Sequence, residues 1–157
     1  MLKINRKVSV WISLVMTAVI FAGAVALAFY LPSFTDYLIQ LPDNTGEREH
    51  LQPSQRVMIH IAAYCELAFM LVGLGLLFAL LLLVMKEKVF TKAAVELIRY
   101  ISWCIVFMGI ILVALTVFFT LAVFAGAAML FFGLTIRVVK NVIEEATFLK
   151  EENDLTV

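Results

Sequence analysis

The stretch ISWCIVFMGIILVALTVFFTLAVFAGAAMLFFGLTI, residues 101–136, runs for 36 positions without a charge. As one straight helix it would be ~54 Å long, far beyond a hydrocarbon core of ~30 Å. Two short crossings of about 17 residues each fit better. The turn between them is expected near 119–126, where Thr120 and Gly126 interrupt the bulky residues. This reading decides the fold, because it makes four spans and puts both chain ends on one side of a membrane.

Upstream, residues 8–31 form a second uncharged stretch, behind Lys3, Arg6 and Lys7. A cleaved signal peptide is its rival reading, since small residues such as Ala24, Ala26 and Ala28 follow the basic start. A signal core runs only ~7–15 residues, so an uncleaved first span is favoured. The third apolar stretch, 57–85, is longer than one crossing needs, which places His60 and Tyr64 in the outer interface. Between these two lies a polar segment with Pro32, Pro42 and Pro53 and the turn signal Pro42-Asp43-Asn44-Thr45-Gly46.

Composition agrees. Of the 157 residues, 64% are hydrophobic and 15% charged, and the net charge is zero. A soluble domain averages about 25% charged residues. Mean hydropathy is +1.04. Disorder, nucleic-acid binding by bulk positive charge and a water-solvated fold are all excluded. The expected class is all-α: an integral membrane four-helix bundle, with an amphipathic cytoplasmic extension of the last helix. Spans are expected at 8–31, 60–85, 100–119 and 122–139. An extracytoplasmic loop fills 32–56, a cytoplasmic loop 86–99 and a cytoplasmic tail 140–157.

With four spans, the basic residues near the start, around Lys86, Lys88, Lys92 and Arg99, and after Arg137 share one side, leaving Arg48 and Arg56 opposite. The positive-inside rule then puts both termini in the cytoplasm. Thr91 is the expected N-cap of a helix starting at Lys92. After the last span Val139, Val142, Ile143, Ala146 and Leu149 recur at helical spacing, and Lys140 and Glu144 form an i, i+4 pair.

The tail Glu151-Glu152-Asn153-Asp154-Leu155-Thr156-Val157 and the mid-chain Lys86-Glu87-Lys88-Val89-Phe90-Thr91 resemble the YoaS-like membrane proteins, domain of unknown function 2975. The resemblance spans roughly 57–157. It implies a small four-helix protein of the bacterial inner membrane, without an assigned activity. It also implies partnership with a small Cro-type helix-turn-helix regulator often encoded alongside.

Glu66 is the one acid inside an apolar run, and an ionisable group in lipid is a functional candidate. It is a candidate proton or ligand site, with His60 and Tyr64 nearby in sequence and Tyr64, Phe69 and Trp103 as candidate aromatic surroundings. The bland alternative is a carboxyl satisfied inside the bundle. His60 and Glu66 are ~120° apart on a helix, so they do not share a face. His50, Glu47 and Glu49 are a weaker cation candidate in the outer loop. Cys65 and Cys104 read as two small buried hydrophobes. Gly73, Gly75 and Gly109 are candidates for close helix approach, although no G-x-x-x-G occurs. Trp11 and Trp103 mark cytoplasmic span ends.

No Ser-His-Asp set, P-loop or H-E-x-x-H is present, so no enzyme, metal or cofactor is expected. The acids Glu144, Glu145, Glu151, Glu152 and Asp154, with Leu155, are the candidate dock for a basic cytoplasmic partner. The leading function is therefore a non-enzymatic membrane protein that holds a cytoplasmic regulator, with lipid and a second copy as further partners and no direct nucleic acid. A proton-coupled exporter centred on Glu66 is the alternative. Immunity against a membrane-active peptide is a third reading.

Overall fold

A computed structural model describes residues 6–40 and 51–155. Among the described residues the regular structure is all helical, with no strand. Four long helices follow one another: α1 Arg6–Gln40, α2 Pro53–Met85, α3 Lys92–Ala114 and α4 Ala122–Leu155, with a 3-10 turn Leu115–Val117 after α3. All four are long and apolar enough to cross a membrane.

Extensive contacts join only chain neighbours: α1 with α2, α2 with α3, and α3 with α4. The result is an open bundle laid out in chain order. Between 6% and 22% of each apolar window is buried inside the protein. Side chains such as Phe29, Leu121, Phe124 and Phe131 stand exposed. Burial drives folding only where apolar surface leaves water, so helices this apolar and this open need hydrocarbon around them.

Residues 32–40 and 53–56, expected in the outer loop at 32–56, are helical. Helix α1 continues through Pro32 to Gln40. Leu31, Thr35 and Ile39, at steps of four, are all buried on one face. That face keeps the helix packed although Pro32 offers no N–H. Thr35 Oγ1 donates to the carbonyls of Leu31 and Pro32 at 3.0 and 2.9 Å, so its hydroxyl stays satisfied. Helix α2 starts at Pro53, whose missing N–H costs nothing at the first turn. The N–H of Gln52 donates to Gln55 Oε1 at 2.8 Å. Ala24, Leu31 and Leu67 form the core between α1 and α2, flanked by Ala63, Met70, Leu71 and Leu74.

Helix α2 closes with a six-to-one pattern. Lys88 N–H reaches the Leu83 carbonyl at 3.0 Å and Glu87 N–H the Val84 carbonyl at 3.1 Å. Glu87 takes the left-handed position usually held by glycine, with φ 59°. Thr91 then caps α3 as expected: its Oγ1 accepts from Ala94 N–H at 3.3 Å.

The break between α3 and α4 falls at 115–121, slightly before the expected 119–126. Leu115 carbonyl takes both Phe118 and Phe119 N–H groups at 2.9 Å, which tightens the chain without glycine or proline. Gly126 therefore does not break a helix. It lies inside α4 and lets α3 approach. A Cβ there would stand 2.8 Å from Val113 Cγ2, 2.9 Å from Val113 N and 3.0 Å from Gly109 O. Gly109 likewise faces Leu130, and Gly133 faces Val106 and Ser102. Val95, Ser102 and Gly109 recur every seven residues on α3; Gly126, Gly133, Lys140 and Thr147 do so on α4. A seven-residue repeat keeps two gently wound helices in contact along their whole length.

Candidate functional site

The longest interhelical seam ends in charge. Past Gly133 the α3–α4 interface meets Arg137, Lys140, Glu144 and Glu151 on α4, and Arg99, Glu96 and Lys92 on α3. Lys92 Nζ lies 3.2 Å from Glu151 Oε2, and Arg99 Nη2 3.5 Å from Glu144 Oε1. Lys140 Nζ meets Glu144 Oε2 at 2.6 Å, the expected i, i+4 pair, and the Lys140 side chain is only 12% exposed. Glu144 thus serves two cations on two helices.

Between these pairs lies an open cleft of ≈ 280 Å³, lined by Val95, Glu96, Thr147 and Phe148 besides the paired residues. Three carboxylates and two cations border it. Thr147, its floor, is buried and donates to the Ile143 carbonyl at 2.7 Å. Of the expected docking acids, Glu144 and Glu151 therefore also tie α4 to α3. Glu145 and Glu152 are exposed on α4. Asp154 and Leu155 belong to the last turn of α4, and their side chains lie outside the described residues.

The second candidate centres on α2. Glu66 is partly buried, and its Oε1 is buried without a hydrogen-bond partner. It lies one turn from Phe69 and two from Gly73. Both neighbours meet α3: Phe69 stacks on Phe107 with centroids 5.5 Å apart, and Gly73 faces Cys104. Phe107 stacks in turn on Trp103 at 5.6 Å, and the Arg137 guanidinium covers Trp103 at 4.2 Å from its centroid. A ladder of aromatic rings thus crosses from α2 to a cation on α4.

His60 does not join Glu66. Its Nδ1–H donates to the Arg56 carbonyl at 2.8 Å, and Nε2 faces Asp36 Oδ1 of α1 at 3.6 Å. Tyr64 is exposed. The cation candidate of Glu47, Glu49 and His50 lies outside the described residues. Among the described residues, no three His, Cys, Asp or Glu side chains gather as a metal site. Both cysteines are free thiols: Cys104 is buried as expected, but Cys65 is exposed.

Of the glycines expected to allow close approach, Gly109 meets Leu130 and Gly73 meets Cys104, whereas Gly75 has nothing within 4 Å of an added Cβ. Sequence reasoning missed Gly126 and Gly133 in the seam, the Asp36–His60 pair and the Arg137–Trp103 contact. A seven-residue search would have found Gly126 and Gly133; the two contacts join distant helices and leave no local signal.

No curated protein matches the chain, and no solved structure does. A family model described as a protein of unknown function, DUF2975, matches residues 5–157. That match takes in all four helices, the mid-chain segment and the tail, and the chain therefore belongs to the DUF2975 family.

Proposed function

We propose that the protein is a non-enzymatic membrane receptor that docks a cytoplasmic partner on the inner ends of α3 and α4. The observation that carries this reading is the acid-bordered cleft between them. Its walls offer apolar Val95 and Phe148 beside Glu96, Glu144 and Glu151, and Glu145 and Glu152 follow the same helix. An amphipathic helix with basic residues fits such a surface in chemistry and charge. A small helix-turn-helix regulator of the Cro type is the partner in this reading, held at the bacterial inner membrane away from DNA. The chain's basic asymmetry supports cytoplasmic termini, which puts the cleft on the regulator's side.

Co-expression of the full-length protein with the neighbouring regulator tests this. The regulator should sediment with membranes, and Glu96→Lys combined with Phe148→Ala should release it. Membrane capture unaltered by that pair of substitutions refutes the docking surface.

The orphaned Glu66 Oε1 supports a second reading, proton-coupled transport, since an unpartnered carboxyl in a span is costly unless it carries a proton or a ligand. In sealed vesicles a proton gradient should then drive uptake of a cationic dye by the native protein and not by Glu66→Gln. Equal traces from the two, or none from either, remove this reading.

A further inference from the structure

The helices do not end their apolar surfaces at the same depth. Gly133 of α4 packs between Ser102 and Val106 of α3, and Gly73 of α2 packs against Cys104. These contacts set Gly133, Cys104 and Gly73 at one level. Arg137 lies one turn further along α4, level with about Leu77 of α2 at ~1.5 Å per residue. Helix α2 then stays apolar for eight more residues, to Met85, before its first charge at Lys86. Arg137 therefore sits ~12 Å short of the apolar end of α2. Half a hydrocarbon core is ~15 Å. On the α1 side, Thr17 and Phe21 line one cavity with Leu74 and Phe78, and no charge follows until Lys7. One half of the protein is apolar at a depth where the other half is cationic.

Arg137 has no carboxylate within ion-pair distance among the described residues; its one specific contact is the Trp103 ring. The nearest cations, Lys140 and Arg99, share the single acid Glu144. Glu96 lies about one turn before Arg99, nearer the Lys92 start of α3. A cation at this depth is tolerated when it meets an anion or reaches a polar layer.

We propose that Arg137 binds the phosphate of an anionic phospholipid, drawn into a polar notch in the leaflet beside α3 and α4. Trp103 forms its apolar wall. The leaflet thins on this side of the protein and keeps full thickness against α1 and α2.

The chain has two tryptophans, so Trp11→Phe leaves Trp103 as the sole reporter. In nanodiscs of full-length protein, phosphatidylglycerol with brominated chains should quench Trp103 at a mole fraction about five-fold lower than brominated phosphatidylcholine. That ratio corresponds to ~1 kcal/mol for one charge near the surface. Arg137→Gln should bring the two curves together, Arg137→Lys should keep them apart, and Arg56→Gln should change neither. Coincident curves in the protein with Arg137 intact overturn the proposal without any variant at the site. Relief of the phosphatidylglycerol quenching by inorganic phosphate, at an ionic strength matched with chloride, also overturns it, because the site would then take free phosphate.

Discussion

Substituting alanine for Gly126 tests the α3–α4 seam most sharply. In an isolated helix the change is favourable by ~1 kcal/mol, since glycine is the poorer helix former. Here the added Cβ would stand 2.9 Å from Val113 N and 3.0 Å from Gly109 O, both backbone atoms, and 2.8 Å from Val113 Cγ2. Backbone cannot rotate aside, so the helices must part. Overpacking of this kind costs ~1–3 kcal/mol, and two backbone contacts put this site in the upper part of that range. The net expectation is a loss of ~1–2 kcal/mol once the propensity gain is subtracted. Gly75 is the control, because nothing lies within 4 Å of its added Cβ; Gly75→Ala should gain roughly 0.5–1 kcal/mol. Equilibrium unfolding of the full-length protein in mixed micelles, followed by circular dichroism, reads both. A third comparison separates backbone from side-chain crowding. At Gly133 the close atom is Val106 Cγ2 at 2.7 Å, while Val106 N is at 3.3 Å. Val106→Ala should rescue Gly133→Ala, whereas Val113→Ala should not rescue Gly126→Ala. If Gly126→Ala matches or exceeds the native stability, the close backbone approach is wrong.

The remaining expectations concern helix ends and charge. Glu87→Gly should raise stability by ~1 kcal/mol, since Glu87 holds φ 59° at the end of α2; an unchanged unfolding midpoint contradicts that. Thr91→Ala should cost ~1 kcal/mol by removing the cap on Ala94 N–H, and Thr91→Asp should restore most of it in the same micelle assay. Glu144→Lys places a third cation beside Arg99 and Lys140, so it should lower the midpoint more than Glu151→Gln, which loses one exposed pair. Added salt should narrow that difference; a gap independent of salt would mean the loss is not electrostatic.

The four helices were legible because lipid imposes a simple rule: each crossing needs about 20 apolar residues, and charges collect at the ends. Thr91 was legible because capping is local. The continuation of α1 past Pro32 was not, because the burial of Thr35 and Ile39 that sustains it depends on α2. The turn at 115–121 left its position open, since no glycine or proline marks it and the tightening comes from one shared carbonyl. Gly126 misled, as the same residue type serves a turn or a close approach, and only the facing Val113 distinguishes them. The roles of Glu144 and Glu151 were half visible. Lys140 lies one turn from Glu144 in sequence, but Arg99 is 45 residues away.

Membrane topology is the direct test of the central claim, that four apolar helices cross the bilayer and return both ends to one side. Single cysteines at Lys88, Thr120 and Lys150, in a chain with Cys65 and Cys104 replaced by alanine, are labelled in intact cells with a membrane-impermeant maleimide. The account predicts labelling of Thr120→Cys in intact cells, and of Lys88→Cys and Lys150→Cys only after the membrane is opened. Labelling of Lys150→Cys alongside Thr120→Cys in intact cells would contradict it.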